Sequence, residues 1–573
     1  MVKHATEKTG LMAAKKGVEI EMYSAGTGTR ERRQDDDDDD DAPVLFGYES
    51  LDKDMIPAQQ EFLELSSMAL QLSLRQMVRQ VMTITDAAFQ GHIGTKQLAG
   101  VTIASVYMGV PSTFIQNAIP AISTLCSQAY GAGNNTLVGI WLQTCIVFSV
   151  VGAIPIIIWY MFVGHMIALT LDDTEAVAYG QQFAMIMALG LIPQYLYGCL
   201  TTYFATQGVI MPATLCSTLT VVLNIVFNQL FIYGGFGYDG LGFIGSPIAT
   251  VTSTCLQLLI FVAYTVWYKQ YHLAYWGGWT MECVSKERLM VFLPLAVPMG
   301  MSSVVDWASA ACTTAFSGYL GPDIAACQAV LNGVFGVVNA FVSGFSTSTQ
   351  IRMSRYLGQG SAVAAKRVLS IGASIVAVCG VTMVLLVYLL NESLFRVWSP
   401  DPVIIAMCRS ALVVFVCCIM VAFGRFMMTA CLNALSMANI NLIANNIGSW
   451  CLYVPLSYVL PITLQWGLDG FWYADMCGEA MKAVILTWGI LRVDWNAAAD
   501  FAQRAAEVTE TRNPMQEEQR ELLAYETEAL LTPTMFKSPG AQFGSVPHHT
   551  PSVLKRALSL TPKAMRRQKD ANV

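Results

Sequence analysis

Charge is what this sequence of 573 residues has least of. Asp, Glu, Lys and Arg make up 13% of it, where a soluble domain carries about 25%. Hydrophobic residues reach 54% and the mean hydropathy is +0.48. That much apolar surface exceeds what a protein core absorbs, so lipid is the expected solvent. The net charge of −7 comes largely from the tails, seven of the acids being the run Asp35 to Asp41. There is no concentrated basic face, which argues against nucleic acid as a partner. There is no Walker motif, so any work must draw on an ion gradient rather than ATP. The six histidines are scattered and no enzyme constellation is visible. The 15 cysteines show no zinc-like spacing. Cys126, Cys145, Cys199, Cys216, Cys417 and Cys418 fall inside apolar segments and read as small buried hydrophobes. Neither a metal nor an organic cofactor is expected. The first sixty residues are polar and carry no cleavable signal, so the first apolar span is expected to insert itself.

What is present is apolar length. A hydrocarbon layer about 30 Å thick takes roughly 20 apolar residues per helix. Such stretches fall at 66–90, 99–127, 138–164, 181–205, 212–234, 241–268, 289–317, 325–351, 367–390, 404–430, 437–461 and 470–492, twelve in all. Short connectors and continuous apolarity favour a helical bundle over a barrel. Loop charge sets the orientation. With the N-terminus cytoplasmic, the inner loops hold Lys269, Lys286, Arg288, Arg352, Arg355, Lys366 and Arg367, and the outer loops hold mostly acids. Both termini are therefore expected in the cytoplasm, in the plasma membrane or a vacuolar or vesicular one. Asn391-Glu392-Ser393 forms an outer glycosylation sequon, and Asn134-Asn135-Thr136 another on the opposite side.

The expected domains are an acidic disordered tail at 1–60, a first six-helix half at 61–275, a second at 276–494 and a mostly disordered tail at 495–573 with a short helical stretch. Thr532-Pro533, Ser538-Pro539, Thr550-Pro551 and Thr561-Pro562 suit proline-directed phosphorylation or plain linker composition equally well. The two halves follow from a repeat. Gly91 to Gly94 recur as Gly318 to Gly321, Gly131-Ala132-Gly133 as Gly358-Gln359-Gly360, and Gly240-Leu241 as Gly467-Leu468, each at an offset of 227. Six helices per half is an even number, so the halves are related by an axis along the membrane normal. Such halves rock about a site between them.

Ionisable groups at membrane depth mark function or pairing. Asp86 lies in the first span and Asp306 in the seventh, and either carboxylate can exchange a proton for a cation. Arg75, Arg79, Met82 and Asp86 make one face of the first helix polar. Arg79 and Asp306 are 227 apart, which raises the prospect of a pair across the cleft, whereas snorkelling to the interface is the simpler account of the arginines. Asp475, Glu479 and Lys482 form a stripe on the twelfth span, read either as a structural ion pair between Glu479 and Lys482 or as part of the site. Gln207, Asn224 and Asn228 are cleft-lining candidates, with interhelical hydrogen bonding as their default role. Tyr203 and Trp307 could stack on an organic cation, though aromatics at helical spacing usually pack in a core.

Several motifs carry a family resemblance. Gly91-His92-Ile93-Gly94-Thr95-Lys96-Gln97-Leu98-Ala99-Gly100 resembles the first outer loop of the multidrug and toxic compound extrusion (MATE) transporters, eukaryotic type. Ser123-Thr124-Leu125-Cys126-Ser127-Gln128-Ala129-Tyr130-Gly131-Ala132-Gly133 is similar to the signature that ends their second helix. Gln207-Gly208, Pro212, Asn224 and Asn228 resemble the fourth-to-fifth helix pattern, and Ile351-Arg352-Met353-Ser354-Arg355-Tyr356-Leu357-Gly358 the Arg-containing close of the eighth. The likeness runs from about 62 to 493. It implies an all-α membrane fold of twelve helices in two pseudo-symmetric lobes around a cleft. It further implies secondary active antiport of organic cations or xenobiotics against H⁺ or Na⁺ by alternating access. Asp86 matches a first-helix acid of prokaryotic members, and Asp306, followed by Trp307, stands where plant and animal members have Glu. Asn228 replaces an acid frequent in prokaryotes, the tenth span has no acid, and the first-helix arginines and the twelfth-helix stripe are atypical. A monomer in the bilayer is expected. An organic-anion exporter or lipid-linked precursor flippase that uses Arg75 and Arg79 is the first alternative, and a non-transporting receptor or scaffold the second.

Overall fold

The computed structural model describes residues 56–506 apart from His92, Ile93, Phe236 and Tyr238. The acidic run and the four Ser/Thr-Pro pairs lie outside the described residues. Among those described, each of the twelve expected spans has a helical counterpart and no β-sheet forms. We number them α1 (Ala58–Gly91), α2 (Thr95–Ala118, continued by Ala121–Gly131), α3 (Asn135–Met161), α4 (Thr174–Ala188 with Leu191–Thr206), α5 (Met211–Tyr233) and α6 (Gly242–Tyr268). The second half follows as α7 (Lys286–Tyr319), α8 (Pro322–Gly358), α9 (Ala362–Leu389), α10 (Leu412–Ala434), α11 (Ala438–Asn445, running on as Asn446–Tyr453, Val454–Tyr458 and Val459–Thr463) and α12 (Gly467–Leu491). A shorter α13 (Trp495–Ala506) closes the described chain.

Eight of these segments are individually long and apolar enough to cross a membrane, and the bent pair of α4 makes nine. The others have visible reasons for falling short. α1 carries Arg75, Arg79 and Asp86, and α12 carries Asp469, Asp475, Glu479 and Lys482. α11 is broken into short pieces, with wide π turns before Pro455 and around Pro461. A proline lacks the N–H of the regular ladder and clashes one turn back, and a local wide turn absorbs that defect. Outward-facing positions are apolar, for example Leu215, Leu259, Val378 and Val381, all exposed on the bundle surface. A soluble protein rarely shows such a surface; a bilayer requires it. This is a multi-pass membrane protein.

The repeat seen in sequence is realised as a two-fold arrangement. α1 packs chiefly on α8 and α7 on α2, so each half lends its first helix to the other half's second. Gly131 lies against the backbone of Arg355, and Gly358 lies against the backbone of Gln128. Both pairs of positions are related by the same offset of 227. Asn134 caps α3 by accepting from the Leu137 amide at 3.0 Å, and Ser361 caps α9 by accepting from Ala364 at 3.3 Å. The preceding Gly133 and Gly360 both turn the chain at φ 79°, a left-handed conformation that glycine adopts without Cβ strain. Asn134 also donates to the Ala506 carbonyl at 2.8 Å and is buried. It is therefore a capping residue rather than an accessible glycosylation site.

The halves are sealed at one end only. Every residue from Ala121 to Ala129 is buried, as is nearly all of α8 from Gly344 to Gly358. Gln350 donates to Ser123 and Thr124 at 3.1 and 3.0 Å, and Gln128 donates to the Ala434 carbonyl at 3.1 Å. Arg352 forms a buried ion pair with Glu61, extended to Glu64 at 2.8 Å and joined by the Tyr356 hydroxyl at 2.8 Å. Towards the opposite end the same helices become exposed, at Thr83 and Ile84 of α1 and at Thr314 and Tyr319 of α7. The buried interface between the halves is thus concentrated at the end where α1 begins. α13 packs at the sealed end through Ala499, Ala502 and Ala506, touching α2, α8 and α9. The expected tail at 495–573 therefore begins with an ordered, packed helix.

Candidate functional site

The second half holds a chain of charges that links α7, α10 and α12. Asp306 sits mid-way along α7, with its side chain 32% exposed. Its Oδ1 accepts from Lys482 Nζ at 3.0 Å and from Ser449 Oγ at 2.9 Å, and its Oδ2 accepts from Asn445 Nδ2 at 2.8 Å. Lys482 donates equally to Glu479 Oε1 at 3.0 Å. Glu479 is paired in turn with Arg425 of α10. Asp475, one turn before Glu479, accepts from the Cys418 thiol at 3.2 Å and has no ion pair among the described residues. With all of its three acids and two bases ionised, the cluster carries one net negative charge.

Local structure explains how these groups meet. Asp475, Glu479 and Lys482 share a face of α12 by helical spacing. The π turn of α11, Asn446–Tyr453, lies between α12 and α7, with Asn445 and Ser449 at its start. Widened turns of this type recur at functional sites because they re-aim side chains out of the regular ladder. Gly448 belongs to the same turn, and a Cβ there would collide with Cγ of Lys482. The missing side chain makes room for the lysine stem.

The first half is built differently. Asp86 accepts from Asn228 Nδ2 at 3.2 Å, with Thr250 Oγ1 at 3.5 Å. Asn228 also donates to Asn224 Oδ1 at 3.0 Å, and both amides are fully buried. No cation pairs with Asp86 among the described residues. Arg79 is exposed and donates to Gln116 Oε1 of α2 at 3.3 Å. Arg75 is half-buried, and its Nη1 is buried without a hydrogen-bond partner. Arg79 and Asp306 do not pair; each satisfies itself within its own half.

The remaining expected residues divide. Trp307 lies across the boundary of the halves, its ring 2.5 Å from where a Cβ on Gly109 of α2 would be. Tyr203 and Gln207 require correction as cleft-lining residues. Tyr203 is 0% exposed, edge-on to Phe204 at 5.0 Å, and Gln207 is buried beside it, donating to the Tyr203 carbonyl at 3.3 Å. Both sit inside the core of the first half, and the cleft-lining candidates Asn224 and Asn228, each 0% exposed, are likewise buried rather than lining an opening. Of the cysteines expected to be buried, Cys126, Cys145, Cys199, Cys216 and Cys418 are, whereas Cys417 is exposed on the outer face of α10. Among the described residues no group of side chains is arranged to hold a metal ion.

Sequence reasoning missed Arg425, although a lone arginine inside an apolar span is itself a signal. It also missed Ser449 and Ser302, whose Oγ takes a hydrogen bond from Asn445 at 2.6 Å. Small hydroxyl residues in membrane helices are too common to single out without their partners.

The MatE family model matches residues 72–230 and 298–459, one match in each half. The chain is 26% identical over 455 residues to "Multidrug and toxin extrusion protein 1" of Xenopus tropicalis, covering 79% of this chain and 78% of that protein. It is 25% identical over 462 residues to "Multidrug and toxin extrusion protein 2" of Mus musculus, covering 79% and 78% respectively. Among solved structures, the eukaryotic MATE transporter AtDTX14 superposes with a TM-score of 0.72 at 19% identity, covering 78% of this chain and all of that one. A transporter of the MOP superfamily from Pyrococcus furiosus, whose structure is titled for a binding pocket of reverse polarity, gives 0.68 at 17% identity over 78% of this chain and 99% of that one.

Proposed function

Because this chain belongs to the MatE family, and is a transporter rather than an enzyme, we propose that it is a secondary active antiporter. It exports organic cations in exchange for H⁺, or Na⁺, by alternating access between its two halves. The observation that carries the reading is the position of Asp306, a partly exposed carboxylate on α7 at the end of the paired chain Asp306–Lys482–Glu479–Arg425, beside which Asp475 adds a third acid with no base of its own among the described residues. Uncompensated charge at membrane depth is expensive. Binding one proton or one monovalent cation neutralises the cluster, and the two ligands compete for it. Asp306 is the main coupling acid and Asp86, hydrogen-bonded but without a counter-charge among the described residues, the second. Trp307 at the junction of the halves is placed to stack on the organic moiety. The protein works as a monomer with both termini cytoplasmic, in the plasma membrane or a vacuolar or vesicular membrane, and its C-terminal tail is a substrate for proline-directed phosphorylation.

Efflux of a fluorescent organic cation from proteoliposomes under an imposed pH gradient tests this. Wild type is expected to drive efflux, Asp306→Asn to abolish it and Asp86→Asn to lower it. Silence of the wild type under both pH and sodium gradients would reject the reading.

One observation favours a second reading. Arg75 and Arg79 have no acidic partner among the described residues, and one Arg75 nitrogen is buried without a hydrogen bond. An organic anion or a lipid-linked phosphate would satisfy them. Arg75→Gln with Arg79→Gln should abolish transport of an anion and spare that of a cation.

A further inference from the structure

The position of Lys482 carries a more specific inference, one that rests on the charge chain being the coupling site. Its ε-ammonium is held at 3.0 Å from one oxygen of Asp306 and 3.0 Å from one oxygen of Glu479, with the Ser449 hydroxyl 2.9 Å from the same Asp306 oxygen. Two carboxylates on separate helices, joined through one buried positive centre with a hydroxyl alongside, are the oxygen donors that a hard monovalent cation takes. The side chain is only 6% exposed, and Gly448 has given up its own side chain to the lysine stem. Lysine is a compact point charge on a flexible stem, suited to this role in a way that the planar fork of arginine is not.

We propose that Lys482 is a tethered cation standing where a dissociable Na⁺ would otherwise bridge Asp306 and Glu479. The transporter therefore needs no sodium at this site. Lys482 acts as a specificity-determining residue for the coupling ion: protonation of Asp306, or arrival of a cationic substrate there, frees the ammonium to rest on Glu479 alone. Glu479 is also paired with Arg425. With the lysine shortened, the carboxylates remain and the charge does not, so the vacated space should accept Na⁺.

The test is binding of radiolabelled Na⁺ to the purified full chain in lipid nanodiscs, read by scintillation proximity. Wild type and Lys482→Arg are expected to show no saturable binding. Lys482→Ala should bind about one Na⁺ per chain, matching the single charge removed, and adding Asp306→Asn should abolish that binding. Deleting the lysine also raises the net negative charge of the cluster, which endangers folding. The double variant Lys482→Ala/Asp475→Asn keeps the wild-type net charge and retains both Asp306 and Glu479. Recovery of either variant as a monodisperse protein only in Na⁺ supports the proposal as directly as the binding itself. Saturable Na⁺ binding by wild type that Asp306→Asn removes would overturn it. So would a folded double variant that binds no Na⁺, or failure to recover both variants even in Na⁺. None of these readouts depends on transport, so an inactive wild type in the efflux assay rejects antiport without deciding this point.

Discussion

Gln350 and Ser123 occupy equivalent positions in the two halves, 227 residues apart, and hydrogen-bond to each other at 3.1 Å. Two equivalent residues can touch only where the axis relating the halves passes between them. The axis therefore runs through the sealed end, between α2 and α8. The alternating access proposed above would have to break this contact, since it lies at the centre of the buried interface. Truncation leaves the buried Ser123 hydroxyl without its partner, while Thr124 keeps its hydrogen bond to the Asn433 carbonyl at 3.0 Å. Gln350→Ala is expected to destabilise this closed arrangement by about 1–3 kcal/mol, the cost of orphaning a buried hydroxyl. Distances between spin labels on the halves at this end should broaden in the variant. An unchanged distribution would show that the contact does not hold the halves together.

Arg352 and Glu61 form the second tie across that interface. Removing one partner of a buried ion pair leaves the other charge stranded, at a cost of about 3–5 kcal/mol. Arg352→Met strands both Glu61 and Glu64, whereas Glu61→Gln leaves Arg352 its bond to Glu64. The thermal midpoint of Arg352→Met is expected to fall further than that of Glu61→Gln. The reverse order would place the stabilisation elsewhere, in the Arg352 stem or in Tyr356.

Gly131 and Gly358 predict a symmetric result. Each lies against backbone of the opposite half, where no flexible side chain can yield. Gly131→Ala and Gly358→Ala should destabilise the closed end by similar amounts, about 1–3 kcal/mol as for other overpacked positions. Labelling of a cysteine introduced at Ser123 should speed up comparably in both. A marked difference between the two would show that the interface tolerates strain on one side only.

Gly448→Ala places a methyl group against the stem of Lys482 and should push the ammonium off Asp306. A misplacement of about 1 Å at a working site costs up to about 100-fold in rate. Efflux is expected to fall by at least about tenfold with the protein still folded. Near-normal efflux would mean that the lysine geometry is not critical to the cycle.

α13 separates two truncations. A chain ended after Ala506 retains the hydrogen bond from Asn134 and the buried alanines, and is expected to keep wild-type stability and efflux. A chain ended after Asp494 loses both, and its thermal midpoint should drop by several degrees, as about 1–2 kcal/mol would produce in a protein of this kind. If the chain ended after Ala506 loses efflux although α13 is intact, the tail is an active part of the protein.

Apolar spacing and glycine offsets were enough to read twelve helices, two halves and their relation, because hydrophobic period and turn chemistry are local properties of the chain. Even the spans that fall short of a strict hydropathy criterion, α1, α11 and α12, were legible, since their polar residues interrupt apolar runs without ending them. Asp86, Asp306 and the stripe at Asp475, Glu479 and Lys482 stood out for the same reason: charge in an apolar span is conspicuous one residue at a time. Partnership within one helix was legible, as the Glu479–Lys482 pair at 3.0 Å shows; partnership between helices was not. The offset linking Arg79 to Asp306 suggested a pair, yet the lysine beside Asp306 comes from α12 and the arginine beside Glu479 from α10, brought together by packing that no spacing encodes. Tyr203 and Gln207 look like cleft residues in a linear reading and prove to be core, because the bend within α4 and the rotation of its last turn decide which face meets the opening. Residue type and period fix what a helix can present. Only the packing of one helix on another decides what it presents it to.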